Sequence, residues 1–366
     1  MNSTMHIGLI VYGRLDSVSG GYLYDRKLVE YLRRQGDRVE IISLPWSNYG
    51  RHLAHNFLSG PFNRLRHASF DVLLQDELNH PSLFWLNRRL RRRRYPIISI
   101  VHHLRLCETR PVWQNSIYTW IEKQYLASVD GFIFNSQTTQ TVVQGLVGSH
   151  RPCVVAYPAG DRLQPSFDPE VVTARAHEPG PLRLLFVGNL TVRKSLDTLL
   201  AALMRLPAES WRLEVVGDTT IDPAYTRRIR QQVEAAGLGH QVTLHSSLSD
   251  QALRQHFCRS HLLAVPSRYE GFGIVYLEGM GFGLPAIAGA AGAAGEIVSH
   301  GQNGFLVRVE ETAELAAYVD CLHRDRDRLV QMSLAARRRY QHHPTWDESM
   351  GHVRRFLLEI GDYPLP

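Results

Sequence analysis

Short apolar runs alternate with longer stretches of helical periodicity along most of the chain. Six such runs fall in the first half, at residues 6–12, 39–44, 71–74, 96–102, 131–135 and 152–157. Their length and β-branched content predict buried strands. Between the first two, Leu23, Leu28, Val29 and Leu32 recur at helical spacing across residues 22–34, and Gly36 stops the helix. Residues 118–127 read as a further helix before the fifth strand. Pro, Gly and Asp then punctuate residues 158–181, which predicts an interdomain linker. The rhythm restarts with strands at 182–187, 211–216, 242–245 and 262–265, and a very short one at 286–288. Helices are expected at 195–205, 224–236 and 318–341, and after the Pro344 break at 346–360. Strands alternating with helices imply parallel βαβ units. The fold class is therefore α/β, with two Rossmann-like doubly wound sheets over residues 1–165 and 180–344.

Composition narrows the picture. A chain of 366 residues is long for one core, which agrees with two domains. Four cysteines, Cys107, Cys153, Cys258 and Cys321, show no C-x-x-C spacing, so neither zinc nor a disulfide framework is expected and a reducing compartment fits. No signal peptide and no bilayer-spanning apolar stretch is read, and a cytoplasmic protein is expected. The net charge of +6 favours anionic partners: nucleotides, phospholipid surfaces or nucleic acid.

Candidate chemistry concentrates at residues 266–280, Pro-Ser-Arg-Tyr-Glu-Gly-Phe-Gly-Ile-Val-Tyr-Leu-Glu-Gly-Met. Glu270 and Glu278 bracket a glycine turn between a strand and a helix expected from Ile274. The free N–H groups of that turn suit a phosphate, and two carboxylates can accept from hydroxyls on either side of it. Together they describe a sugar nucleotide; a tight turn with two solvated glutamates is the plainer alternative. Arg193 and Lys194, in Gly188-Asn189-Leu190-Thr191-Val192-Arg193-Lys194, are expected at the start of the next helix. Cations there oppose the helix dipole unless an anion lies between, which suggests a diphosphate clamp. Ser19-Gly20-Gly21 is expected as a loop that lets backbone approach a ligand. It lacks the G-x-G-x-x-G spacing of nicotinamide dinucleotide sites, which counts against an oxidoreductase. His102 and His103 follow the fourth strand, where open α/β sheets bind ligands. The Gly/Ala stretch 288–295 reads as a loop of close approach. No metal-binding motif, G-x-S-x-G or Walker sequence is present.

Taken together, these residues resemble the retaining glycosyltransferases of family 4 (glycosyl transferases group 1), which have the GT-B fold of two Rossmann-like domains facing a cleft. The resemblance is strongest over residues 184–308, through 186–200, 266–280, Gly295-Glu296-Ile297-Val298 and 301–307. It implies that Glu270 holds donor-sugar hydroxyls, with the backbone of Gly271, Phe272, Gly273 and Ile274 on the sugar and diphosphate. It further implies that Glu278 binds the ribose, that Lys194 binds phosphate, and that Gly20 and Gly21 lie near the diphosphate and acceptor. His102 matches the histidine that touches the donor sugar. The family usually has Arg after the glycine matching Gly188, where this chain has Asn189, so Arg193 is expected to supply the charge. His103 stands where the family often has Asp. The last helix resembles the GT-B feature in which residues 345–366 return to complete the N-terminal domain.

The resemblance implies a metal-independent hexosyl transfer from a UDP- or GDP-sugar, with no cofactor beyond the donor. The acceptor, lipid-linked or a small molecule, depends on loops such as 46–69 and 104–117, which carry no readable pattern. Six arginines at residues 88–94, from Arg88 to Arg94, read as a solvated helix end or as a contact with an anionic membrane at the inner face. Two alternatives are a non-hydrolysing sugar-nucleotide epimerase and a basic nucleic-acid-binding protein. The E-x7-E spacing favours the transferase over the first. The absence of aromatics interleaved with the arginines counts against the second.

Overall fold

The computed structural model describes residues 4–361, apart from 18, 91, 92, 109, 166 and 167. Arg91 and Arg92 of the basic run lie outside the described residues, as do positions 362–366. The chain divides into two compact units, Met1–Pro158 with Trp346–Pro366, and Ala159–Thr345.

The first unit runs β1 (His6–Tyr12), α1 (Gly20–Arg34), β2 (Arg38–Leu44), α2 (Tyr49–Ala54), α3 (Ser59–Arg66), β3 (Val72–Asp76) and α4 (His80–Arg89). It continues with β4 (Ile97–Val101), α5 (Val112–Leu126), β5 (Gly131–Phe134), α6 (Gln137–Val147) and β6 (Cys153–Val155). The six strands form one parallel sheet in the order β2-β1-β3-β4-β5-β6. A parallel sheet is covered on both faces, and accordingly every residue of β3 and β4 is buried. The terminal helix Trp346–Gly361 belongs to this unit. Arg354 makes a two-pronged ion pair with buried Asp37 at 2.7 and 3.0 Å, and Asp37 also accepts from the Met5 amide at 3.0 Å. Trp346 meets Tyr24 edge-on, with ring centres 5.8 Å apart.

The second unit runs α7 (Pro169–His177), β7 (Leu182–Val187), α8 (Leu196–Leu203), β8 (Trp211–Val216), α9 (Pro223–Ala235), β9 (Val242–His245), α10 (Asp250–Arg259) and β10 (Leu262–Val265). It closes with α11 (Ile274–Gly281), β11 (Ala286–Gly289), β12 (Gly304–Val307), α12 (Thr312–Arg324) and α13 (Arg326–Gln341). Its sheet is again six-stranded and parallel, in the order β12-β11-β10-β7-β8-β9.

Several local expectations change. Ser19 is not part of a loop with two free glycines; it caps α1, its hydroxyl accepting from the Tyr22 amide at 3.2 Å, and Gly20 and Gly21 are the first helical residues. The stretch expected as a linker contains α7, capped by Asp168 and docked through Val172, Arg175 and Ala176. Arg193 and Lys194 lie in a single 3₁₀ turn, Val192–Lys194, ahead of α8 rather than within it. The helix expected over 318–341 is two helices that part at Asp325, whose side chain caps the second.

Candidate active site

The strand β10 delivers the chain to Ser267 and Glu270. The Ser267 hydroxyl donates to Glu270 Oε1 at 2.7 Å, which fixes the carboxylate. The Glu270 main chain is held by a parallel bridge to Gly292, accepting from Ala293 N at 2.8 Å and donating to Ala291 O at 3.3 Å. A side chain has no room here. A Cβ on Gly292, where φ is +84°, would fall 2.1 Å from the Glu270 carbonyl oxygen, and one on Gly289 would fall 1.8 Å from that of Ser267. The close approach made by the Gly/Ala stretch is therefore to the Glu270 loop. Gly273, with φ +96°, turns the chain into α11, and Tyr276 ties that helix to β10 by donating its hydroxyl to Val265 O at 2.7 Å.

Two cations converge on Glu270. Lys194 Nζ donates to Glu270 Oε1, and Arg193 NH1 lies 3.6 Å from Oε2 while donating to Tyr269 O at 3.0 Å. The turn carrying them is anchored by Arg268 N donating to Arg193 O at 2.8 Å, and Ser195 is held left-handed with φ +55°. Gly188 lies against the Lys194 stem, where an added Cβ would be 3.3 Å from Cε. Burial alone would raise the Glu270 pKa, but Lys194 and Arg193 outweigh it and bring it down to about 2. Burial lowers the Lys194 pKa and Glu270 opposes that shift. The cluster thus holds two cations and one fixed anion beside the amide row that opens α11.

Glu278, buried on α11, sits in a second polar site of the same unit. Its Oε1 accepts from Arg162 Nε at 2.9 Å, and Arg162 NH1 reaches Asp250 Oδ1 at 2.5 Å. Burial raises the Glu278 pKa and Arg162 works against that rise. Gly160 allows the Arg162 segment onto α11, since a Cβ there would be 2.7 Å from the Leu277 carbonyl carbon.

In the first unit, His102 Nε2 lies 3.0 Å from Oδ1 of fully buried Asp25 on α1. The His102 ring also meets Tyr24 edge-on at 5.1 Å, and a Cβ on Gly21 would be 3.1 Å from its Cδ2. Gly21 is small for the imidazole's sake. Burial would lower the His102 pKa, but Asp25, Asp76 and Glu77 together raise it. His103 points elsewhere, to Glu108 Oε1 at 3.2 Å.

The structure therefore brings Gly188, Arg193, Lys194 and Glu270 together around the turn of Gly271, Phe272, Gly273 and Ile274, with Asn189 next to Gly188 in the chain. Glu278 has its own site, and Gly20, Gly21, His102 and His103 belong to the other unit. Sequence reasoning missed Asp25, Arg162 and Ser267. Only Ser267 carried a local signal, three residues before Glu270. Dispersed histidines also gather: Asp25, Asp76 and His102, then Glu77, His80 and Glu122, and Glu214, His245 and His256, have ligand-type atoms within 4.8 Å of one another. Hydrogen bonds within the first and third groups join His102 to Asp25 and His245 to Glu214.

Comparison with known proteins bears on this arrangement. Residues 170–339 match the family described as Glycosyl transferases group 1. A D-inositol 3-phosphate glycosyltransferase from Nocardia farcinica is 28% identical over 78% of this chain and 70% of its own length. Three further curated relatives are matched over 54–62% of their lengths. Among solved structures, a sucrose-phosphate synthase from Thermosynechococcus elongatus superposes with TM-score 0.81 at 22% identity, over 97% of this chain and 99% of that one. Anabaena Alr3699/HepE, solved with UDP and glucose, superposes with TM-score 0.76 at 19% identity, over 97% and 99%.

Proposed function

We propose that this glycosyltransferase of GT-B fold, whose residues 170–339 are its group 1 domain, moves a hexosyl group from a UDP- or GDP-sugar with retention and without a metal. The observation that carries the reading is the pairing of Lys194 and Arg193 around Glu270 at the turn that opens α11. Departure of a nucleoside diphosphate puts negative charge on its phosphates. One cation in excess of Glu270, together with the amides of Gly273 and Ile274, offers preorganised stabilisation of that charge. Glu270, ionised down to about pH 2, is no proton donor at working pH. Its role in this reading is to hold Lys194 and accept from donor-sugar hydroxyls. Arg162 takes Oε1 of Glu278, so Oε2 is assigned to the ribose. His102 is assigned to the donor sugar near the reacting carbon, and no general base is assigned. HepE was solved with UDP and glucose, and this supports a nucleotide-sugar donor.

The acceptor is lipid-linked or a small molecule, met at the inner face of a membrane through the basic segment 88–94. Among the described residues, no helix is long and apolar enough to cross a bilayer. Replacement of Lys194 or of Glu270 by Ala tests the reading. Donor turnover, followed with a panel of UDP- and GDP-sugars, should fall about 100- to 1000-fold, the usual cost of losing one preorganised charge-stabilising group. Wild-type turnover in both variants would sink it. Retention would show as an unchanged anomeric configuration in the NMR spectrum of the product, and turnover should persist in EDTA.

A further inference from the structure

The outer face of α5 carries apolar side chains that none of the described residues covers. Val112, Trp113, Ile117 and Trp120 are 84%, 65%, 49% and 57% exposed. Their spacing places all four within one helical stripe. The neighbouring α4 adds Trp85, 44% exposed, and the Phe84 and Trp120 rings, 6.2 Å apart, join the two helices beneath it. Exposed large hydrophobics scattered singly are ordinary, but three tryptophans on adjoining helices are an interaction surface.

The charge around the stripe selects its partner. Lys123 stands one turn beyond Trp120 and Arg89 one turn beyond Trp85, both exposed. Arg88 bridges the two helices through Gln124. Between residues 45 and 126 the chain has twelve Lys and Arg against five Asp and Glu, and Asp76, Glu77 and Glu122 among those five are buried. Arg64, Arg93 and Arg110 are paired with Glu40, Asp130 and Glu108, and the remaining cations leave this segment with a net positive charge. A second copy of the chain would bring two such surfaces together by symmetry and repel itself. Tryptophans set among cations match the boundary of an anionic bilayer, where the indoles sit at headgroup depth and the cations meet the phosphates.

We propose that the α4–α5 face docks the protein on an anionic phospholipid surface, with Trp85, Trp113 and Trp120 entering the interface. This rests on the membrane contact of the functional reading and deepens it by adding an apolar anchor on α5 to the basic segment. The test is flotation of the full chain with phosphatidylcholine vesicles, with and without phosphatidylglycerol, and without sugar nucleotide. Binding should require the anionic lipid and drop by about tenfold or more when Trp113 and Trp120 are both replaced by Ser, since each loses its interfacial anchor. Trp113 is largely exposed and Trp120 gives up its edge contact with Phe84, so the thermal melt should fall by no more than a few degrees. Arg89→Glu with Lys123→Glu should abolish the response to phosphatidylglycerol. Wild-type flotation of the double-serine variant would overturn the proposal, as would equal binding to both vesicle types. A dimer in gel filtration that the serine changes dissolve, or RNA binding that they abolish, would also overturn it. Flotation does not read catalysis, so its failure leaves the transferase reading standing, and inactive Lys194→Ala protein should still float.

Discussion

At the scale of single residues, the candidate site of each unit uses one device: a buried carboxylate placed to set the state of its partner. Glu270 does so for Lys194 and Asp25 does so for His102. The first was legible because both members sit in recognisable stretches. The second was not, because Asp25 and His102 are 77 residues apart and meet only once the sheet has formed and the residue after β4 comes beside α1. Asp25 reads in isolation as one more polar position on an amphipathic helix, yet it is fully buried. Its charge, with those of Asp76 and Glu77, raises the His102 pKa against the pull of burial. In Asp25→Asn the nearest opposing charge disappears while the shape is kept, so the His102 imidazole should titrate at lower pH, towards or below the ordinary histidine value. An NMR titration of the His102 ring reads this directly. An unchanged midpoint would show that Asp25 does not govern the charge of the imidazole.

At the scale of elements, the strands were the most readable part. Nearly all announce themselves as short apolar runs, and β7 to β10 fall where the pattern puts them. β12 did not, because Gly304-Phe305-Leu306-Val307 follows directly on a turn and is too short to show alternation. The helix α7 was hidden for the opposite reason. Asp168 and Pro169 look like chain breakers, but an Asp cap followed by Pro in the first turn is how a helix starts. Helices α2 and α3 have too few turns for a period to emerge. The Gly/Ala stretch was readable as close approach, and the structure supplies its target, the backbone of the Glu270 loop. Gly292→Ala would combine a positive φ with a Cβ 2.1 Å from the Glu270 carbonyl oxygen. Stability should fall by roughly 2–4 kcal/mol, and nucleotide-sugar affinity should fall with it as the loop shifts. Chemical denaturation together with donor-induced thermal shift would check both. A folded variant with wild-type affinity would mean that Glu270 tolerates displacement.

At the scale of the whole molecule, the two units should respond differently to pH. In the first, burial and then the charge of Asp76 push Glu77 up to about 8, and burial and then Glu77 push Glu122 up to about 8. Asp76 and His102 are also raised. His80 does not offset them by forming an ion pair with Glu77, 3.0 Å away, because burial brings its own pKa down to about 4 and leaves it neutral. A carboxyl with a raised pKa keeps its proton in the folded state after the unfolded chain has lost it near pH ~4.3. Folding then takes up protons, and stability falls as pH rises towards 8. His52 and His80, both lowered to about 4, act in the other direction, but only up to the ordinary histidine value near ~6.5. From about pH 6.5 to 8 nothing in these groups opposes the carboxyls. In the second unit, Glu270 at about 2 and His261 at about 3 add stability as pH climbs, and their windows close by about 6.5. Glu278 leans the other way there, tempered by Arg162. Amide hydrogen exchange at the two ends of that range, corrected for intrinsic rates, should show β3 and α5 opening more readily at the higher pH. Peptides from β10 and β11 should change little. Glu122→Gln removes one titrating carboxyl and the charge that couples to Glu77, so it should flatten the response of the first unit. Equal slopes in both units, or an unaltered slope in that variant, would place the alkaline sensitivity outside the buried Glu77–Glu122 pair.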